Sequence, residues 1–172
     1  MKKMVLSVLV ENTAGVLNRV AGLFSRRGYN IDSLTVGETE DAGFSRMTIV
    51  VKGEDGVLEQ IIKQISKLID VKEITVLEDG KSVCRELILL KVAASPEQRQ
   101  QVIAIADIFR AKIVDVSANS LMVELTGNQA KLDAFIGLFE GFEIKELVRT
   151  GITGLTRGSL DEHIEDYSDF DM

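Results

Sequence analysis

What most limits the folds open to this chain is the order of its periodicities, because the same order occurs twice. Met4 to Val10 is a β-rich run of strand length. Val16, Leu17, Val20, Leu23 and Phe24 then recur at three- and four-residue steps, one face of a 3.6-residue period. Arg26 and Arg27 fall in that helix's last turn, where cations suit the free carbonyls, and Gly28 follows as its terminating residue. The stretch "YNIDSLTVGET" alternates, "EDAG" makes a turn and "FSRMTIVVKG" is the next strand. After a cap expected at Asp55, Val57, Leu58, Ile61, Ile62, Ile65, Leu68 and Ile69 form a second helical stripe. "VKEITVLED" closes the unit, giving β-α-β-β-α-β, the ferredoxin-like order.

A polar linker, Glu78 to Ser82, precedes the restart. "VCRELILLKVAA" is a strand. Ser95 then caps a helix whose first position holds the chain's single proline, with Gln98 completing a capping-box pattern. Val102, Ile105, Ala106 and Phe109 form its apolar face. "AKIVDVSA" and "SLMVELTG" make a hairpin around Asn119-Ser120. Leu132, Phe135, Ile136 and Phe139 mark the last helix, and "GFEIKELVRTG" the last strand. The expected fold is α+β: two ferredoxin-like β-α-β-β-α-β units, residues 1–79 and 83–158, then an acidic tail, 159–172, expected to be disordered. The stretch "RTGITGLTRG" reads as a flexible chain end. In each unit helices cover one face of the sheet, so the other face must find a partner or stay wet. Apolar edge strands also invite a second chain, most simply as a two-fold homodimer.

Composition narrows the function. The formal charge is −7, and the tail "SLDEHIEDYSDFDM" holds six acids with no Lys or Arg. Such a chain is poorly suited to nucleic acid, where neutralising phosphate supplies much of the affinity. One cysteine, Cys84, and one histidine, His163, exclude an internal disulfide, a cysteine metal cluster and a Cys–His nucleophile pair. Cys84 is expected to pack as a small hydrophobe on a strand. The pairs Asp161/Glu162 and Glu165/Asp166 lie in the tail and do not read as acid/base catalysts, while Tyr167 and Phe170 there could dock on a partner. Met4 to Val10 is too short to span a bilayer and lacks a cleavage pattern, so a cytoplasmic protein is expected, with no membrane association.

The chemistry concentrates in "ENTAGVLNRV", where the first strand hands over to the first helix. The first N–H groups of a helix are unpaired and partly positive, so they attract a carboxylate or phosphate. Gly15 lets a ligand approach the backbone. Asn12 and Asn30 each both donate and accept, which suits a zwitterion better than a nucleotide. Neither G-x-G-x-x-G nor G-x-x-x-x-G-K-[ST] is present. The competing reading of the spacing is a glycine near a helix start with an asparagine cap, as many proteins carry without any ligand.

"LSVLVENTAGVLNRVAGLFSRRGYNIDSLTVG" resembles the opening of an ACT domain, a module that binds small molecules and regulates an enzyme. "SRRGYNIDSLTVG", "SRMTIVV", "RELILLKV", "IFRAKIVDVS", "LTGNQAKLDAF" and "VRTGITGLTRG" are similar to the regulatory, small-subunit family of acetolactate synthase, across nearly the whole chain. The resemblance implies a non-catalytic subunit that activates a separate catalytic chain and confers feedback inhibition by valine in branched-chain amino-acid biosynthesis. It implies no cofactor in this chain, and thiamin diphosphate, magnesium and FAD on the catalytic partner. It places the effector site at an ACT dimer interface, with Asn12, Gly15, Val16 and Leu17 from one chain and Asn30 and Ile31 from the other. Leu34, Thr35, Val36 and Gly37 are the expected contact with the catalytic subunit.

Three rivals share parts of this pattern. A free-standing ACT sensor acting on another enzyme or a transcription regulator shares the glycine turn. An RNA-binding module of this fold would need exposed aromatics and a basic face, which the sequence lacks. A ferredoxin-like enzyme would need a catalytic constellation. The matching place in the second unit reads "AASPEQRQ", with no glycine turn, as suits a subunit with one sensor.

Overall fold

Alternate apolar residues make β1 (Lys2–Glu11) the spine of a first sheet: Met4, Leu6, Val8 and Val10 are buried on one face. The computed structural model describes residues 1–158. After β1 come α1 (Val16–Arg26), β2 (Ile31–Glu38), β3 (Phe44–Gly53), α2 (Asp55–Ser66) and β4 (Val71–Val76). The sheet order is β2-β3-β1-β4, with every neighbouring pair antiparallel. α1 contributes Val16, Val20, Leu23 and Phe24 to the core, α2 contributes Leu58, Ile61 and Ile65, and β3 adds Met47, Ile49 and Val51.

The second unit repeats the plan with β5 (Ser82–Ala93), α3 (Pro96–Phe109), β6 (Lys112–Val116), β7 (Ser120–Gly127), α4 (Gln129–Gly137) and β8 (Ile144–Arg149). Its strands run in the order β6-β7-β5-β8. Ile88, Leu90 and Val92 meet Val102, Ala106, Leu132 and Phe135 in a separate core. Phe109, Phe135, Phe139 and Phe142 form a chain of edge and tilted ring contacts through it.

Several local expectations change. The cap of α2 is Glu54, without a side-chain bond, and Asp55 is already helical. The helix stops at Ser66, so Ile69 lies beyond the stripe and is 90% exposed, while the next residue, Asp70, turns inward. The β6–β7 turn centres on Ala118-Asn119, where Ser117 donates its N–H to Ser120 O, and Ser120 is already in the strand and buried.

The largest difference concerns "RTGITGLTRG". Rather than a flexible end, it forms β9 (Thr153–Thr156), which pairs with β5. Ile152 is buried with Val5, Val50 and Leu77, beside Cys84, on the face of the first sheet that the helices leave open. Thr35 Oγ1 donates to Ile152 O at 3.3 Å, and the Arg157 N–H reaches Lys81 O. The approach is close: a Cβ on Gly154 would lie 2.7 Å from Cys84 Sγ and 2.9 Å from Val83 O. Glycine therefore serves backbone proximity here, not looseness. The division of the chain shifts accordingly. One unit is Met1–Cys84 with the segment that begins at Ile152, and the other is Arg85–Gly151. The acidic tail, with His163, Tyr167 and Phe170, lies outside the described residues.

Candidate functional site

The turn between β1 and α1 is built from backbone. Glu11 donates its N–H to Asp70 O and Asn12 donates its own to Gly43 O, both at 2.9 Å. Asn12 Nδ2 adds a bond to Ala42 O at 3.1 Å, tying the turn to the β2–β3 hairpin. Gly15 is the residue before the helix and has φ +86°, a left-handed conformation that side chains adopt at a cost. It brings no side-chain cap, and the first turn of α1 holds no acid. Among the four described helices, α1 is the one with neither. The Val16 N–H reaches Thr13 O only at 3.5 Å, and helix geometry directs the N–H groups of Val16, Leu17 and Asn18 outward. Leu17 is 45% exposed beside them, an apolar surface next to three donors.

An arginine and an aspartate that the sequence reading did not single out complete the turn. Arg19 Nε and Nη2 bond both carboxylate oxygens of Asp70, at 2.6 and 3.1 Å. Asp70 is buried, and hydrogen bonds from Arg19 hold its carboxyl below the usual carboxylate range against the opposing push of desolvation. The same bonds raise Arg19. The remaining guanidinium nitrogen, Nη1, lies 2.9 Å from where a Cβ on Gly15 would stand. Spacing offered one signal, since Arg19 follows Gly15 by one helical turn. Nothing local announced Asp70, 51 residues further on.

Asn30 and Ile31 lie elsewhere. Ile31 is level with Val51, and Val51 with Met4, so β2 begins at the opposite end of the sheet from the turn. Eight residues of strand separate Met4 from Asn12, about 26 Å. A single chain therefore brings Asn12, Gly15, Val16 and Leu17 together but not Asn30 and Ile31. The cause is the crossover: α1 carries the chain back along the sheet before β2 starts. Asn30 is exposed and donates only a long bond, 3.4 Å, to Asp32. Of the β2 residues, Leu34 packs against the first core and Thr35 is held by Ile152 O. Val36 is 45% exposed, and a Cβ on Gly37 would meet nothing.

The corresponding start in the second unit is closed. Ser95 Oγ accepts from the Gln98 N–H at 3.3 Å, and Gln98 Oε1 accepts from the Ser95 N–H at 3.1 Å. Asn128 likewise caps α4 through the Lys131 N–H. Among the described residues no group of three or more His, Cys, Asp or Glu is placed to hold a metal. No described helix is long and apolar enough to cross a membrane.

Comparison with known proteins matches the chain to two family models, the second of which runs on through the Ile152 segment. Residues 6–73 match a family model described as AHAS small subunit-like ACT domain, and residues 85–158 match one described as small subunit of acetolactate synthase. The acetolactate synthase small subunit of Mycobacterium bovis is 55% identical over 153 residues, 89% of this chain and 91% of that protein. The chain belongs to the acetolactate synthase small-subunit family. A Methanothermobacter thermautotrophicus protein named "Probable acetolactate synthase small subunit" is 54% identical over 156 residues, covering 90% of this chain and 93% of its own. The crystal structure of the Thermotoga maritima small subunit superposes with a TM-score of 0.84 at 43% identity, covering 91% of this chain and 98% of the other. Membership makes this a regulatory subunit, whose counterpart is a catalytic large subunit.

Proposed function

We propose that this regulatory subunit activates its catalytic partner and makes it sensitive to valine. The observation that carries the reading is the helix start at Gly15: left-handed, uncapped, free of acid and next to an exposed leucine. An amino acid's carboxylate would sit on the N–H groups following Gly15. Its ammonium would meet an oxygen of Asn12 or Asn30, and its side chain would meet Leu17 and Ile31. On this reading the site draws on two chains, since one chain keeps Asn30 and Ile31 away from the turn. β2 is an edge strand, and its far end, Glu38, is level with Ser45 and Val10. If two copies pair their β2 edges antiparallel about a two-fold axis, the partner's β2 begins at the end where this chain's glycine turn lies. Asn30 and Ile31 of a second protomer would then complete the site.

An effector bridging two protomers biases the dimer only by binding one arrangement better than another, and about 1–3 kcal/mol of coupling suffices. Discrimination among valine, leucine and isoleucine should be shallow, since one methylene is worth about 1–3 kcal/mol. Val36 and Gly37, with Leu34 and Thr35 behind them, offer the catalytic subunit an exposed strand end. The chemistry would belong to that subunit, with its thiamin diphosphate, magnesium and FAD. Reconstitution tests the reading. Acetolactate formation by the catalytic subunit should rise when this chain is added and fall again with valine. With Gly15→Asp the rise should persist and the fall disappear. A mixture indifferent to this chain, or equally inhibited with Gly15→Asp, would contradict it.

A further inference from the structure

A glycine in the left-handed region, preceded by three exposed residues and carrying no cap, is the least constrained kind of helix start, because glycine loses the most conformational freedom on ordering. This one is nevertheless closed into a ring, and Asp70 closes it at two points. Its carbonyl accepts the Glu11 N–H, where β1 ends. Its carboxylate accepts both bonds from Arg19, and the Arg19 backbone N–H returns to Gly15 O at 3.0 Å. Residues Asn12 to Ala14 complete the circuit. The guanidinium also lies over Gly15, in the space a side chain would fill. Asn12 anchors the same turn from the other side through Ala42 and Gly43. A carboxylate paired to arginine through two parallel bonds fixes direction as well as charge.

We propose that Asp70, acting through Arg19, is a positioning residue for effector binding: it holds the Gly15 turn in the geometry that presents its N–H groups. The proposal rests on the reading that this turn binds the effector. Neither residue needs to touch the ligand. The contribution is pre-organisation, since a turn held in its bound shape does not lose that freedom when the ligand arrives. Asp70→Asn keeps the shape and removes the charge. Arg19→Lys keeps the charge and removes the fork.

The full chain and both variants are titrated with valine by calorimetry, and amide exchange is followed without ligand. Each variant should raise the valine Kd roughly tenfold. Exchange should quicken in residues 12–18 while the amides of β1 and β3 keep wild-type protection, which separates loss of the turn from loss of the fold. Activation of the catalytic subunit without valine should be retained. Wild-type Kd and wild-type exchange at 12–18 in both variants would overturn the proposal and leave the effector reading standing. A wild-type Kd in Arg19→Lys alone would also overturn it, since charge without geometry would then suffice. Absence of valine binding by the wild-type chain would overturn both.

Discussion

The starts of α1 and α3 occupy the same place in two copies of one plan, and they differ in what satisfies their backbone. At α3 a serine, a proline and a glutamine close the first turn reciprocally. At α1 a left-handed glycine leaves the first N–H groups facing outward. The box at α3 contributes to that helix's stability, since losing such a cap typically costs about 1 kcal/mol. The contrast is between a helix start whose donors are met by its own side chains and one whose donors are not. What the open turn lacks locally it obtains from a distance, through Arg19 and a buried Asp70.

The comparison breaks most sharply at Gly15. Gly15→Asp places a carboxylate at the donors, in a left-handed conformation, with its Cβ against Arg19. Valine affinity should fall by roughly 100-fold or more, about 2.7 kcal/mol, in a calorimetric titration. Gly15→Ala separates strain from charge: its backbone penalty is about 1–2 kcal/mol without the repulsion, so it should lose less affinity than the aspartate. Asn30→His removes the amide that a second protomer would supply, and should raise the valine Kd about tenfold with unchanged thermal stability. Ser95→Ala tests the closed side. Thermal or denaturant unfolding should show a loss of about 1 kcal/mol, and the valine titration should not change.

The smallest effect is in pH. Because Asp70 has its folded pKa lowered, its contribution to stability is present above the unfolded value near 3.8 and is lost as pH falls through the folded value. The stability difference between wild type and Asp70→Asn should therefore be constant at neutral pH and shrink below pH 3.8. A difference that instead grew with acid would contradict the ion-pair assignment.

The parts of this molecule legible in the sequence are those specified locally. Ser95, Pro96 and Gln98 announce a capped helix within four residues, and the structure forms both bonds of that box. The β-rich run of Met4 to Val10 and the stripe of Val16 to Phe24 are each local patterns, so both elements follow, and with them the buried face of the helix. The glycine turn is legible for the same reason. The clamp of Arg19 on Asp70 is not, because its partners are joined only when β4 comes to lie beside β1. The return of Ile152 to the first unit is hidden differently. A glycine-rich stretch reads as loose, whereas here Gly154 allows close packing against Cys84 and Val83. Ile69 misled in the opposite direction, continuing a helical period past the point where the chain turns Asp70 inward.

The claim that one site is shared by two chains is tested most directly by mixing. Gly15→Asp and Asn30→His damage opposite halves of the proposed site, so a dimer of one with the other holds one doubly damaged site and one intact site. After unfolding and refolding the two variants together, about a quarter of the wild-type sites should bind valine at wild-type affinity, from random two-fold pairing. Binding by the mixture no better than the sum of the two variants alone would contradict a shared site.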